Sequence, residues 1–244
     1  MPRPTPDLRV PTPGGELPVH LAVPATDGPW PAVVVLHDAA GMTTDLVNHC
    51  KWLAGEGFLA AAPDLLRGGS IARCLRDIVR DYATWEGQTF AQVEAVRRWL
   101  ADREDCTGRV GVIGFCLGGG FALSLAPGYG FAAASANYGR LPRDAERYLQ
   151  GACPVVASYG GRDLSLRGAA TTLRRALDAA GVDNDVKEYP DAGHGFLNDH
   201  APGEVPFLFS LSRPVLRVGY HEPSARDARE RIVAFFRTHL GGPS

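Results

Sequence analysis

Apolar runs alternate along this chain with segments of helical spacing. Five runs have the length of strands that are buried on both faces, and they cover residues 31–37, 57–62, 109–114, 131–136 and 154–159. A further short strand is predicted at 185–189. Apolar residues recur at helical spacing in the intervening segments 45–54, 90–101 and 166–180,. This alternation predicts an open, mostly parallel sheet whose strands are connected by helices.

The two ends of the chain add a hairpin and a closing helix. Two short extended pieces, at residues 8–10 and 18–23, are joined by a turn at Gly14-Gly15,. A C-terminal helix follows, for which Ser224 is the predicted N-cap,. We therefore predict an α/β fold in a single domain over residues 1–244, with a mostly parallel sheet of about seven or eight strands and helices on both faces.

Composition and charge exclude several classes of protein. The 244 residues have a net charge of −2, with Lys and Arg scattered among Asp and Glu, so no basic surface for nucleic acid or anionic membrane is expected,. The sequence contains neither a signal-peptide core nor an apolar run of membrane-spanning length,. Five irregularly spaced cysteines without a CxxC pair argue against disulfides and a zinc site,. We expect a cytoplasmic protein that acts on a small molecule without a cofactor.

The strand at 109–114 runs directly into a cysteine flanked by glycines. Cys116 lies between Gly114 and Gly118 and is followed by a helix of small residues, which is the layout of a nucleophile elbow in which serine is the usual occupant,. The N-terminus of that helix would stabilise a thiolate. Alternatively, Cys116 is a small structural residue beside a tight turn.

Two further residues follow buried strands in the order that a catalytic triad on this architecture requires. Asp163 comes after strand 154–159 and His194 after strand 185–189, and functional residues of open parallel sheets collect at the carboxyl ends of strands. Each is also compatible with a structural role, Asp163 in its turn and His194 in a surface loop. Taken together, Cys116, Asp163 and His194 have the chain order of nucleophile, acid and base.

Five short motifs resemble the dienelactone hydrolase family of α/β hydrolases. In family order they are Ala61-Ala-Pro-Asp-Leu65, Gly-Phe-Cys-Leu-Gly-Gly at 114–119, Asn137-Tyr-Gly139, Gly160-Gly-Arg-Asp163 and Asp191-Ala-Gly-His-Gly-Phe196. The resemblance implies the α/β-hydrolase fold and a triad of Cys116, His194 and Asp163, in which the thiolate attacks an ester or lactone and the acyl-enzyme is then hydrolysed. It also implies an oxyanion hole formed by the backbone N–H groups of Leu117 and Ala39.

The same resemblance implies substrate-binding or gating roles for Asp38, Tyr138, Phe196 and Asn198. In the family's founding type, a glutamate at the position of Asp38 contacts the resting thiol and helps gate its ionisation. The shorter Asp38 either shares that role or stabilises its own turn.

The founding type also binds its substrate's carboxylate with two arginines, and one of them stands at the position of Asn198. The candidates for the other follow Asp64 and are Arg67, Arg73, Arg76 and Arg80. A neutral Asn198 removes a bidentate carboxylate ligand. We therefore do not expect dienelactone itself to be the substrate.

Residues 198–222 form a proline-rich, aromatic insertion between the histidine loop and the last helix. Long loops in compact domains are typically functional or disordered, and Phe207-Leu-Phe209 is too apolar for a solvated tail. We expect the insertion to form either a lid over the site or an interface with a second subunit. The protein is accordingly expected to be a monomer or a homodimer.

Functions of more than one class fit these residues. The favoured one is hydrolysis of small esters or lactones. The same triad could instead act on a thioester or a carbon–halogen bond, or the scaffold could bind a ligand without catalysis, because a fold does not guarantee a function. Metal-dependent catalysis is disfavoured, since His37-Asp38 and Asn198-Asp199-His200 lack the ligand spacing of a known site,.

Overall fold

The structure is a computed structural model, and it describes residues 8–66, 76, 78, 80–82, 84–205 and 217–241. The strands are Leu8–Thr12 (β1), Gly15–Ala22 (β2), Trp30–Leu36 (β3), Leu59–Pro63 (β4), Cys106–Phe115 (β5), Ala133–Asn137 (β6), Val155–Gly160 (β7) and Asn184–Tyr189 (β8). The helices with defined bounds are Thr44–Gly55 (α1), Gln88–Ala101 (α2), Leu117–Leu125 (α3), Ala145–Tyr148 (α4), Ala169–Ala179 (α5) and Glu222–Leu240 (α6).

These eight strands form one sheet in the order β1-β2-β4-β3-β5-β6-β7-β8. The hairpin of β1 and β2 pairs antiparallel to β4 at one edge. All neighbours from β4 to β8 pair in parallel. The predicted α/β-hydrolase fold, with its mostly parallel sheet, is confirmed.

Helices cover both faces of the sheet, as predicted. Strand β3 is buried at every position because its alternate side chains enter two different cores. Val34 and Leu36 pack in the core under α2, α3 and α5, whereas Val33 and Val35 pack in the core under α1 and α6. Burial of each such side chain contributes about 1.5–3 kcal/mol. The uninterrupted apolar run that predicted this strand therefore reflects burial on both faces.

Two helix boundaries differ from the predictions. The last helix begins at Glu222 with His221 as its N-cap, whereas Ser224 had been the predicted N-cap. Pro223 explains the shift, because proline favours the first turn of a helix, where its missing N–H costs nothing. The helix predicted over 166–180 is shorter in the structure: Leu166 is the last residue of a separate 3₁₀ turn, Leu164–Leu166, and α5 starts only after Gly168, whose φ of 75° is left-handed.

The carboxyl ends of the central strands carry the candidate site. In the pairing register, Leu36 of β3 lies beside Gly114 of β5, and Gly160 of β7 lies beside Tyr189 of β8. The loops that follow these strands therefore emerge together at the carboxyl ends of the strands, and this is the edge of the sheet at which the candidate site lies.

The insertion at 198–222 is described only at its two ends, 198–205 and 217–222. The segment Phe207-Leu-Phe209, on which the expected lid or subunit interface depends, lies outside the described residues. Within the described part of the chain, none of the helices has the length and hydropathy needed to cross a bilayer.

Candidate active site

Cys116 occupies a strained turn between β5 and α3. Its φ of 54° and ψ of −111° lie in a region that residues with a side chain rarely adopt,. A Cβ at Gly114 would lie 1.9 Å from the carbonyl oxygen of Gly118, and a Cβ at Gly118 would lie 2.5 Å from that of Leu36. Glycine is therefore required at both positions for the strand and helix to pass so closely. The turn leaves Cys116 partly exposed at the edge of the sheet.

His194 and Asp163 are joined at the same edge. The Nδ1 atom of His194 lies 2.6 Å from Oδ2 of Asp163, whose side chain is fully buried. The other carboxylate oxygen of Asp163 accepts hydrogen bonds from the backbone N–H of Ser165 at 2.9 Å and from its hydroxyl at 2.6 Å. These bonds fix the carboxylate, and the carboxylate fixes the orientation of the imidazole.

The environment shifts the pKa values of both partners. Burial raises the pKa of Asp163, but hydrogen bonds from His194 and Ser165 outweigh this effect and lower it overall. Burial likewise lowers the pKa of His194, but its hydrogen bonds with Asp163 and Cys116 and the charges of both raise it overall. Because Nδ1 faces Asp163, Nε2 is the atom available to the thiol. The imidazole can therefore accept the thiol proton and hold it beside a carboxylate.

The chain after β3 passes close to the start of α3, since a Cβ at Gly118 would lie 2.7 Å from the carbonyl oxygen of His37. Leu117 is the first residue of α3, and the first N–H groups of a helix have no acceptor within that helix,. In the turn after β3, the side chain of Asp38 accepts the N–H of Ala40 at 2.8 Å, and its backbone carbonyl accepts that of Gly41 at 3.2 Å. No hydrogen bond found among the described residues uses the N–H of Ala39. Leu117 and Ala39 are therefore compatible with the predicted oxyanion hole, and their role as its donors stays a prediction.

Three residues expected to bind substrate or gate the site are buried behind His194. Tyr138 is 1% exposed, and its ring centroid lies 5.2 Å from that of His194. Phe196 is fully buried in the core of α1 and α6, and its ring meets Tyr138 edge-on at 5.6 Å. Asn198 is 9% exposed. Tyr138 thus contacts His194, Phe196 and Asn198, and the substrate-binding or gating roles of these three residues stay predictions.

The amide of Asn198 forms hydrogen bonds with other buried groups. Its Oδ1 accepts the hydroxyl of Tyr138, and its Nδ2 donates to Oδ2 of Asp45 at 2.7 Å. The same Nδ2 lies 3.5 Å from Nε2 of His49. Burial raises the pKa of Asp45, but hydrogen bonds from His49, Asn198 and Asp199 lower it well below its usual range. Asn198 therefore links Tyr138 to a buried carboxylate on α1 and is not free to bind a substrate carboxylate.

The carboxylate of Asp38 is also engaged. In addition to Ala40, it binds Nε2 of His200 through Oδ2 at 2.8 Å. Asp38 therefore stabilises its own turn, one of the two roles considered from the sequence, and its gating role stays a prediction. Sequence reasoning missed His200 as a partner of Asp38 because no local pattern links residues 162 positions apart. Across the described ranges, no group of three or more His, Cys, Asp or Glu side chains is arranged to hold a metal ion.

Tyr82 is a second residue that the sequence did not single out. Burial raises the pKa of its hydroxyl, and the charge of a thiolate at Cys116 would raise it further. The hydroxyl packs against Gly120 of α3, where it would lie 2.0 Å from an added Cβ. It donates a hydrogen bond to the carbonyl of Arg140 at 3.4 Å. Its position on a segment without strong periodicity gave no signal in the sequence.

Of the arginines considered as carboxylate ligands, two lie within the described residues. Arg76 is exposed to solvent. Arg80 is 60% exposed and forms an ion pair with Asp81 at 3.0 Å. Arg67 and Arg73 lie outside the described residues.

Comparisons with known proteins agree with the fold and with the motifs. The sequence profile of the dienelactone hydrolase family matches residues 17–240. A "putative carboxymethylenebutenolidase" of Salmonella typhimurium is 32% identical, over 95% of this chain and 86% of the relative. A carboxymethylenebutenolidase of Pseudomonas sp. strain P51 is 31% identical, over 79% of this chain and 84% of the relative.

A solved structure is similar over nearly the whole length of the chain. The crystal structure of a "putative dienelactone hydrolase" from Klebsiella pneumoniae superposes with a TM-score of 0.75 at 28% sequence identity, covering 97% of this chain and 99% of that one. The family profile covers far more than half of the chain and includes the residues at 116, 163 and 194. The chain belongs to the dienelactone hydrolase family.

Proposed function

We propose that this carboxylic-ester hydrolase cleaves small esters or lactones, with Cys116 as nucleophile, His194 as general base and acid, and Asp163 as the group that orients the imidazole. One observation carries the proposal. His194 binds a fully buried carboxylate at 2.6 Å through Nδ1, and it lies close enough to Cys116, a cysteine held in a strained turn at a helix N-terminus, for the thiol to raise its pKa. A merely structural cysteine needs neither the strain nor the partner.

Acylation begins when His194 takes the proton of Cys116. The thiolate Sγ attacks the carbonyl carbon, and the resulting oxyanion accepts hydrogen bonds from the N–H groups of Leu117 and Ala39. As the carbon–oxygen bond of the ester breaks, His194 gives its proton to the leaving alkoxide. The product is a thioester on Cys116, and in a lactone the alcohol remains attached to the acyl group.

Deacylation reverses these roles. Nε2 of His194 removes a proton from a water molecule, which attacks the thioester carbonyl at the same oxyanion hole. The intermediate collapses, the carboxylic acid leaves, and Cys116 is regenerated. Asp163 stays ionised throughout, which its lowered pKa favours, and it stabilises the imidazolium in both steps,.

The substrate class is narrowed by Asn198. Its amide binds Tyr138 and Asp45, so it offers no cation and no free donor to a substrate carboxylate. We infer that the substrate carries no carboxylate at the position where the founding type of the family binds one. An alcohol ester or neutral lactone of a small acid fits this requirement, and dienelactone itself does not.

The other candidate functions differ in the adduct they leave on Cys116. An ester or lactone gives an acyl adduct, a thioester gives an acyl adduct with release of a thiol, and a carbon–halogen bond gives an alkyl adduct. Intact-protein mass spectrometry after brief mixing with each substrate class, combined with assays of the released product, separates these functions. Binding of all three classes without turnover or adduct would instead identify a ligand-binding protein and overturn the proposal.

The chemistry also bears on the compartment and the partners of the protein. A catalytic thiolate must stay reduced, and Cys50, Cys106, Cys116 and Cys153 are free thiols in the structure. This supports the cytoplasm as its compartment. We propose a small-molecule substrate as its partner, neither nucleic acid nor a membrane, and a monomer or homodimer as its state.

A further inference from the structure

A second imidazole–carboxylate pair lies beside the triad and is not part of it. Nε2 of His200 lies 2.8 Å from Oδ2 of Asp38, and both side chains are only 16% exposed. On its other side, Nδ1 of His200 lies 3.9 Å from Oδ2 of the buried Asp45. Among the described residues this Nδ1 finds no hydrogen-bond partner, so His200 binds Asp38 through a hydrogen bond and is attracted to Asp45 by charge alone. His200 therefore lies between two carboxylates that belong to different elements, the turn after β3 and the first turn of α1.

The segment 198–204, which carries His200, is itself fixed to the start of α1. The N–H of Asp199 donates to Oδ1 of Asp45 at 2.9 Å, and Oε1 of Glu204 accepts the N–H of Thr44 at 2.7 Å. Glu204 thus satisfies a donor that the helix itself cannot satisfy. Because the segment is held at both ends, His200 cannot move freely with Asp38. The bond between His200 and Asp38 therefore restrains the turn after β3 relative to α1.

The groups that face His200 are acidic on every side. They are Asp38 on the turn, Asp45 on α1 and Glu204 on its own segment; His49, one turn along α1, shares the carboxylate of Asp45 at 3.5 Å. Burial lowers the pKa of His200, but hydrogen bonding to Asp38 and the charges of Asp38, Asp45 and Glu204 raise it overall. The imidazolium is therefore the form that this site favours.

We propose that His200 is a positioning residue for the oxyanion hole: by binding Asp38 from a segment that is fixed to α1, it holds the turn that carries the N–H of Ala39. The inference rests on the proposed function, because it assigns that N–H to the oxyanion. Asp38 uses Oδ1 to hold the N–H of Ala40 and Oδ2 to bind His200. If the bond to His200 is lost, the carboxylate can rotate away from Ala40, and the neighbouring Ala39 loses its fixed direction.

Position matters strongly for an oxyanion donor. A displacement of about 1 Å can cost up to about 10²-fold in rate, and outright loss of one donor costs about 10²- to 10³-fold. Loss of His200 leaves the Ala39 donor present and only loosens it. We therefore expect a smaller loss, on the order of 10-fold in kcat, with little change in KM.

The test compares His200→Gln with the wild type in hydrolysis of p-nitrophenyl acetate across pH. The ratio of wild-type to variant kcat is expected to be about 10 while His200 is charged and to decrease as pH rises through its raised pKa. Below that pKa the imidazolium binds Asp38 through a charged hydrogen bond and is attracted to Asp45. Above it, the proton on Nε2 leaves only a weaker neutral hydrogen bond to Asp38,. Titration of Cys116 and His194 affects both proteins and cancels in the ratio.

Alkylation separates the oxyanion hole from the nucleophile. Iodoacetamide reacts with the thiolate of Cys116 without forming an oxyanion, so its rate should be the same in His200→Gln and the wild type. A decrease in alkylation equal to the decrease in kcat would place the defect in the nucleophile and overturn the proposal. A ratio of kcat that stays constant with pH would overturn it as well.

Two further variants serve as controls. His239 also pairs with an aspartate, Asp183, at 3.3 Å, but Asp183 directly precedes β8 and therefore lies at the amino ends of the strands. We expect His239→Gln to leave kcat unchanged at every pH. Asp38→Asn keeps an oxygen for Ala40 and removes the charge that binds His200. Its loss should not add to that of His200→Gln in the double variant, because the two act through one bond. Full additivity would contradict the bridge.

The outcomes distinguish this inference from the proposed function. If Cys116→Ala abolishes hydrolysis and His200→Gln has no effect, only the inference fails. If Cys116→Ala leaves hydrolysis unchanged, the proposed function fails, whatever His200→Gln does. Thermal unfolding of each variant identifies any loss that merely reflects misfolding.

Discussion

Two imidazole–carboxylate pairs of nearly equal length lie at the same edge of the sheet. His194 and Asp163 are separated by 2.6 Å, and His200 and Asp38 by 2.8 Å. In each pair the carboxylate also accepts a backbone N–H of its own turn, from Ser165 and from Ala40. Yet the pairs face different third groups. The thiol of Cys116 lies close enough to His194 to raise its pKa, whereas His200 approaches a second carboxylate.

The difference shows that the pair alone does not define catalysis. An imidazole between a carboxylate and a thiol can pass a proton to a reacting atom. An imidazole between two carboxylates holds its proton and has no group to give it to, so it can only join the elements that carry those carboxylates. Because of this third neighbour, we propose that His194 acts as a base and that His200 restrains the turn that carries Asp38.

Removing the thiol of Cys116, the third group beside His194 and Asp163, should have the largest effect on activity. Cys116→Ala eliminates the nucleophile, and we expect hydrolysis of p-nitrophenyl acetate to fall by more than about 10³-fold. The pair of His194 and Asp163 does not need the thiol to form, so thermal stability should change little. An activity within a few-fold of the wild type would show that the pair of His194 and Asp163 does not serve a catalytic thiol.

Neutralising the carboxylate should affect catalysis far more in the first pair than in the second. Asp163→Asn is expected to lower kcat by about 10³- to 10⁴-fold, because an amide favours the wrong tautomer of His194 and cannot stabilise its charged form. Asp38→Asn should cost only on the order of 10-fold, since His200 takes no proton from the substrate. Steady-state kinetics of the two variants, measured side by side, check this ranking, and equal losses would refute it.

Sequence predicted the first pair and missed the second for a physical reason. Cys116, Asp163 and His194 each follow a parallel strand, and parallel strands deliver their ends to one edge of a sheet, so chain order was sufficient. Asp38 and His200 meet because segment 198–204 turns back onto α1, which no period or motif encodes. Hydrophobic period likewise predicted the strands, while helix starts depended on single residues such as Pro223,.

Neutralising Asp45, the buried carboxylate that holds the segment of His200, should lower the stability of the protein. In Asp45→Asn, one carboxylate oxygen becomes an amide that cannot accept a hydrogen bond from Asn198 or Asp199, and we expect a loss of about 1–3 kcal/mol in the free energy of unfolding. The pKa of Asp45 is lowered in the folded protein, so its contribution is present above the unfolded-state pKa and declines as pH falls,.

Urea unfolding of the wild type and Asp45→Asn at several pH values measures this contribution. The difference in free energy should be constant at neutral pH and shrink as the pH drops below about 4. Asp183→Asn provides the matched control, because Asp183 is 68% exposed and also pairs with a histidine. An equal effect of both substitutions would mean that burial of Asp45 contributes nothing.

The smallest effect on activity is expected from an exposed ion pair that joins the loop of Asp163 to the loop of His194. Arg162 and Asp191 form an ion pair at 2.9 Å, one residue before Asp163 and three before His194, with side chains 58% and 69% exposed. Exposed pairs contribute about 0–1 kcal/mol and weaken with salt. Arg162→Ala should therefore leave kcat/KM within about 2-fold of the wild type at high salt, where the pair is already screened. A loss as large as that of Asp163→Asn would show that the loops depend on their surface contact, and that buried hydrogen bonds at Asp163 are insufficient to position His194.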